Sequence, residues 1–118
     1  MARHHELGAT GEAMAVQWLQ NKGFLVLHRN WRYSHYEVDI IATLENVLHF
    51  VEVKTRRSKK YGEPEESVDK KKLLSLLRAG EAFQYEYPQW KRVQYDVLSV
   101  FINPSGIADY FFIEDVYL

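Results

Sequence analysis

Cysteine is missing from all 118 residues. That absence excludes disulfides, thiolate zinc sites and cysteine nucleophiles together, so any metal must be held by carboxylates, histidines or carbonyls. The histidines add little: His4, His5, His28, His35 and His49 show no metal-ligand spacing, which argues against zinc. Long hydrophobic runs are lacking too. None approaches the roughly 18 apolar residues of a membrane span, and the opening MARHHELGATGE has no apolar stretch of the secretory kind. A cytoplasmic location with no membrane partner is the expectation. A large charge excess is also absent: the formal net charge is -1, which argues against a protein that simply coats nucleic acid. With 47% hydrophobic and 26% charged residues, no internal repeat and no linker, the chain reads as one globular domain over residues 1–118.

The charge that is present is unevenly spread. Of the 15 basic residues, Lys54, Arg56, Arg57, Lys59, Lys60, Lys70, Lys71 and Lys72 fall in one segment, against only Glu63, Glu65, Glu66 and Asp69. The C-terminal stretch holds Asp109, Glu114 and Asp115 with no basic residue, so the two ends of the fold should carry different potentials.

Apolar periodicity sets the element order. Leu7, Met14, Ala15 and Trp18 recur at helical spacing, with Thr10 as an internal cap and Gly23 as the stop, giving a helix over about 8–22. FLVLHRNW, EVDIIA and VLHFVEVK read as three strands. Residues 55–67 combine charge with Gly62 and Pro64 and read as a loop. From Asp69, a candidate N-cap, Leu73, Leu74, Leu77 and Phe83 describe an amphipathic helix that must end before Pro88. VQYDVLSVFI and IADYFFIEDV then read as strands joined by an Asn103–Gly106 turn. The simplest packing is an α/β fold, a central mixed five-stranded sheet flanked by helices in the order α-β-β-β-α-β-β.

Within the second and third strands the charged residues obey a period of two: Glu37 and Asp39, then Glu52 and Lys54. If Glu45 and Asn46 form a two-residue turn, Leu44 pairs with Val47, Asp39 falls beside Glu52, and Glu37 beside Lys54. A four-residue loop is the alternative, and a register shift of two keeps all four on one face. Opposed carboxylates repel unless a cation or proton lies between them. Oxygen ligands from Asp39 and Glu52, with the Val53 carbonyl, suit a hard ion, magnesium or manganese. Lys54 returns to the same face, where it could orient or deprotonate a water nucleophile or stabilise charge building on a phosphate. The alternative is a cross-strand salt bridge on a solvated face. The apolar neighbours Ile40, Ile41, Phe50, Val51 and Val53 favour a strand pair covered on both sides, where solvated charge is less comfortable.

Glu12 stacks with Ala15, Val16 and Leu19 on the first helix and could point into the same site; helix-start stabilisation by the dipole is the competing role. Arg56, Arg57, Lys59 and Lys60 could track phosphates while Tyr61 stacks on an unpaired base, or could be a solvated loop. Lys70, Lys71 and Lys72 oppose a helix dipole, which makes them better anion contacts than stabilisers. Trp18, Trp31 and Trp90 read as core or rim aromatics.

At these residues the sequence resembles the YraN-like bacterial proteins of the PD-(D/E)xK nuclease superfamily. The resemblance covers nearly the whole chain. It is carried by Gly8, Gly11, Glu12 and Ala15, by Asn30-Trp31-Arg32, by Glu37-Val38-Asp39-Ile40-Ile41-Ala42, and by Phe50-Val51-Glu52-Val53-Lys54-Thr55-Arg56; Tyr61-Gly62 and Val68 to Lys72 extend it. Two departures stand out: Tyr36 replaces the family's glycine before the Glu-x-Asp unit, and Gln94-Tyr95-Asp96 resembles an Arg-Phe-Asp element without its arginine. The resemblance implies a restriction-endonuclease-like fold, similar in core layout to archaeal Holliday junction resolvases. It also implies a magnesium- or manganese-dependent nuclease, with Asp39, Glu52, Lys54 and Glu12 as catalytic residues and nucleic acid, DNA in preference to RNA, as partner. A homodimer stays open. So do two rival classes: a catalytically silent nucleic-acid-binding subunit, and an interaction module using Tyr110, Phe111, Phe112 and Tyr117.

Overall fold

The computed structural model describes residues 2–57 and 69–116, with side chains from residue 8 onward. Its elements follow the expected order: α1 (Ala2–Asn21), β1 (Leu25–Tyr33), β2 (Tyr36–Leu44), β3 (Val47–Arg56), α2 (Lys70–Glu86), β4 (Val93–Ile102) and β5 (Ala108–Ile113). The strands form one sheet in sequence order. β3 and β4 pair in parallel and all other neighbours antiparallel. The parallel pair is the one that needs a crossover, and α2 lies in that connection. This is the mixed five-stranded α/β arrangement expected of a restriction-endonuclease-like fold. No described helix is long and apolar enough to cross a membrane.

Alternation along the central strands feeds two cores. Ile40, Ala42, Val51, Leu98 and Val100 pack with Ala15 and Leu19 of α1. Ile41, Leu48 and Phe50 pack with Leu76, Ala79 and Phe83 of α2. The helices therefore cover opposite faces, and Ile40, Ile41, Phe50 and Val51 are all fully buried, as the apolar run required. Each such side chain contributes about 1.5–3 kcal/mol of burial. Trp18 joins the first core, and Trp31 and Trp90 the second.

α1 begins earlier than apolar spacing indicates, and Thr10 lies inside it rather than at a cap. Helical glycine costs about 1 kcal/mol relative to alanine, yet Gly11 is required here. A Cβ on it would overlap the Thr55 side chain, whose own Cβ would be 2.7 Å away. This close approach sets Glu12 against the far end of β3. α2 begins as expected, with the Asp69 carboxylate accepting the Lys71 N–H at 2.9 Å.

The β2–β3 connection is the tight one: Glu45 (φ 51°) and Asn46 (φ 66°) are both left-handed, and Leu44 pairs with Val47. Such a turn suits asparagine and glycine, whereas glutamate is strained there. Glu45→Asn should raise stability by about 0.5–1 kcal/mol; an unchanged or lower urea midpoint contradicts this.

β5 is shorter than its apolar run. Beyond it, the Asp115 N–H donates to Asp96 Oδ1 at 2.9 Å and the Val116 N–H to the Tyr95 carbonyl at 2.8 Å, turning the chain back to β4. Asp96 also meets His49 Nδ1 at 2.6 Å, fully buried, and accepts from Gln94 Nε2 at 2.9 Å. The Gln94-Tyr95-Asp96 element is thus a structural tie between β3, β4 and the C-terminal segment.

Candidate active site

The β2–β3 ladder has its last pair at Ile40–Val51. One step further, where Asp39 would face Glu52, the Asp39 carboxylate takes the Val53 N–H at 2.7 Å. A side chain thus stands where a strand partner would be. In a strand, the N–H and C=O of one residue point toward the same neighbour, so the Val53 carbonyl opens into the same gap. Alternation along β2 also slips: Val38 and Ile41, three residues apart, both belong to the α2-side core. A cavity of about 480 Å³ forms between the strands, lined by Glu12, His35, Glu37, Asp39, Glu52, Val53, Lys54 and Lys72 among others. The four strand residues do meet, but in a cleft reached from both faces, with Glu12 arriving on α1 and Lys72 on α2.

The charges here are not at ease. Burial, with the neighbouring Glu52, pushes the Asp39 carboxyl up to about 7; the Val53 N–H opposes the rise, and Glu12 and Glu37 add to it. Glu52 is raised by burial against the pull of Lys72 and Lys54. The Lys54 ammonium is lowered by burial and by Lys72, with Glu52 opposing. Lys72 Nζ lies 3.9 Å from Glu52 and is more than half exposed, so that pair contributes little by itself. Glu37 pairs with Arg32 at 3.1 Å, across β1 rather than with Lys54.

Glu12 is not at a helix start, which removes the dipole role. Its Oε1 instead accepts from Asn30 Nδ2 at 2.9 Å and Arg29 at 3.4 Å. Asn30 reaches it from a left-handed residue (φ 53°) within β1.

A carboxyl whose folded pKa exceeds its unfolded value favours folding while protonated, and that contribution is lost as pH rises from 3.8 to about 7. In EDTA, the protein should therefore lose stability between about pH 4 and about pH 7, by an amount on the order of 2 kcal/mol after allowance for partial exposure. Asp39→Asn keeps an acceptor for Val53 and should flatten this dependence. Equal pH slopes for parent and variant in urea melts contradict the charge crowding.

Among the described residues, no three histidine, aspartate or glutamate side chains form a metal cage. The donors present, two carboxylates beside a backbone carbonyl, fit a hard ion that keeps most of its positions for water and phosphate.

Residues 11–100 match the model of Uncharacterised protein family UPF0102. The chain belongs to that family. It is 44% identical to a UPF0102 protein of Bacteroides thetaiotaomicron over 106 residues, covering 90% of this chain and 87% of the relative. A Flavobacterium johnsoniae UPF0102 protein is 38% identical over 112 residues, covering 92% and 91%. One from Dictyoglomus thermophilum is 36% identical over 102 residues, covering 86% of each. These matches bear out the YraN-like resemblance; the family description itself states no activity.

In this UPF0102 chain, Asp39, Glu52, Val53, Lys54, Glu12 and Lys72 all line the one cavity. Arg56, half-buried at the end of β3, acts on the Lys54 charge, while Arg57 is exposed. Lys59, Lys60 and Tyr61 lie outside the described residues, as does Tyr117. Tyr110 and Phe112 each lie 5.5 Å from Trp18 by ring centroids, leaving Phe111 as the exposed one among the described members of that group. His35, Asn30, Arg29 and Arg32 are additions that the strand pattern did not single out. Polar Arg29 and Asn30 interrupting an apolar strand were the available signal.

Proposed function

We propose that this UPF0102 chain is a metal-dependent nuclease domain that hydrolyses phosphodiester bonds in DNA, with branched or structured DNA as its substrate. The observation that carries this reading is the parting of β2 and β3, which holds Asp39 against the Val53 N–H beside Glu52 with Lys54 alongside. Crowded, half-buried carboxylates next to a lysine of lowered pKa are unfavourable for stability alone and point to chemistry.

Asp39, Glu52 and the Val53 carbonyl would hold magnesium or manganese, which when bound supplies Lewis acidity toward the phosphate and lowers the pKa of bound water. Asp39 is fixed by the Val53 N–H, so its second oxygen keeps its direction. Lys54, with its proton loosened by burial and by Lys72, stands to orient or deprotonate the attacking water and to balance charge on the phosphate. Glu12, anchored by Asn30 and Arg29, presents its other oxygen as a water holder. Lys72 lies beside Glu52, and with Arg56 near Lys54 it offsets the repulsion a phosphate would otherwise meet. A cytoplasmic location fits this substrate.

Purified protein incubated with labelled hairpin, flap and four-way DNAs should cleave at least one in manganese and none in EDTA. A parent that binds these DNAs but cuts none under any divalent ion is instead the silent binding subunit.

A further inference from the structure

The β1–β2 hairpin carries chemistry that cleavage alone leaves unused. Tyr33 pairs with Tyr36 across the strands, and Ser34, left-handed at φ 57°, closes the turn with His35. His35 lines the carboxylate cavity, and its ring lies 4.1 Å from that of Tyr36, tilted by 40°. The Ser34 hydroxyl lies 3.3 Å from its Nδ1. Tyr33 is 57% exposed, and the Arg32 side chain is 69% exposed even with Glu37 as its partner. Edge strands are ordinarily blunted by charge, proline or bulges; this tip instead exposes the Tyr33 and His35 rings, with His35 lining the acidic cavity.

Exposed aromatic faces recognise nucleobases by stacking. A base inside an intact duplex is stacked on both sides and offers no free face. Only an unpaired base next to the cut could use these rings. We propose that Tyr33 and His35 form a subsite for an unpaired nucleotide adjacent to the phosphate in the cavity, so that the substrate class is DNA with unpaired bases beside the scissile bond. This rests on the nuclease reading of the cavity. Tyr36 backs the His35 ring and holds it at the hairpin tip.

The test measures binding without turnover, in EDTA, using duplexes with 2-aminopurine either unpaired in a bulge or fully paired. The parent should bind the bulged DNA about tenfold more tightly than the paired one and quench its fluorescence by stacking. Tyr33→Leu with His35→Ala should lower bulge affinity to the parent's paired-duplex value and abolish the quench, whereas Tyr33→Phe should keep both. A double variant that melts like the parent yet retains the preference overturns the subsite alone. If the parent shows the preference but cleaves nothing in manganese, the subsite stands and the nuclease reading fails; a parent that binds no DNA overturns both.

Discussion

Changing Asp39 to asparagine and Glu52 to glutamine together should abolish manganese binding and lower DNA cleavage by at least about a thousandfold, the kinetic equivalent of roughly 4 kcal/mol. Both changes preserve shape, and the asparagine still accepts the Val53 N–H. What they remove is negative charge from a pocket where burial and Glu52 already hold the Asp39 carboxyl near 7. Without metal, at pH 8, the variant should therefore melt higher than the parent, an opposition of stability and activity typical of functional sites. The measurements are calorimetric manganese titration, a cleavage time course and thermal melts. Equal manganese heats in parent and variant would remove Asp39 and Glu52 as ligands, whatever happens to activity.

Replacing Lys54 by alanine should reduce cleavage by about 10²–10⁴-fold while DNA affinity changes by less than about threefold. The two quantities separate because Lys54 is one cation among several, with Arg56 and Lys72 close by, yet it alone follows Glu52 on β3, while Lys72 reaches Glu52 from α2. Stability is the confounder. Glu52 is raised by burial and opposed by two lysines; removing one leaves Lys72, at 3.9 Å, as the remaining counter-charge. Matched melting temperatures are thus a condition of the comparison, and Lys54→Met, which keeps the packed stem, serves as a second variant. A folded variant cutting at the parental rate excludes Lys54 from the mechanism. Weakened binding with an unchanged single-turnover rate assigns it to substrate affinity.

The sequence by itself determined the features whose causes are local. Apolar and β-branched composition gave β2, alternation gave β3, the Asp69 cap gave the start of α2, and the two-residue turn at Glu45–Asn46, one of two connections the sequence allowed, is the one that pairs Leu44 with Val47. Each depends on residues a few positions apart, so its signal survives in the order of amino acids. Only the tertiary structure decided that the ladder stops at Ile40–Val51, that α1 starts as early as Ala2, and that Glu12, Asn30, His35 and Lys72 gather around the opening. Those residues come from α1, β1, the hairpin tip and α2, and no short spacing links them. Their meeting follows from helices packed on opposite faces of a sheet that parts at one end. α1 can come that close because Gly11 leaves room for Thr55, an approach set by long-range packing.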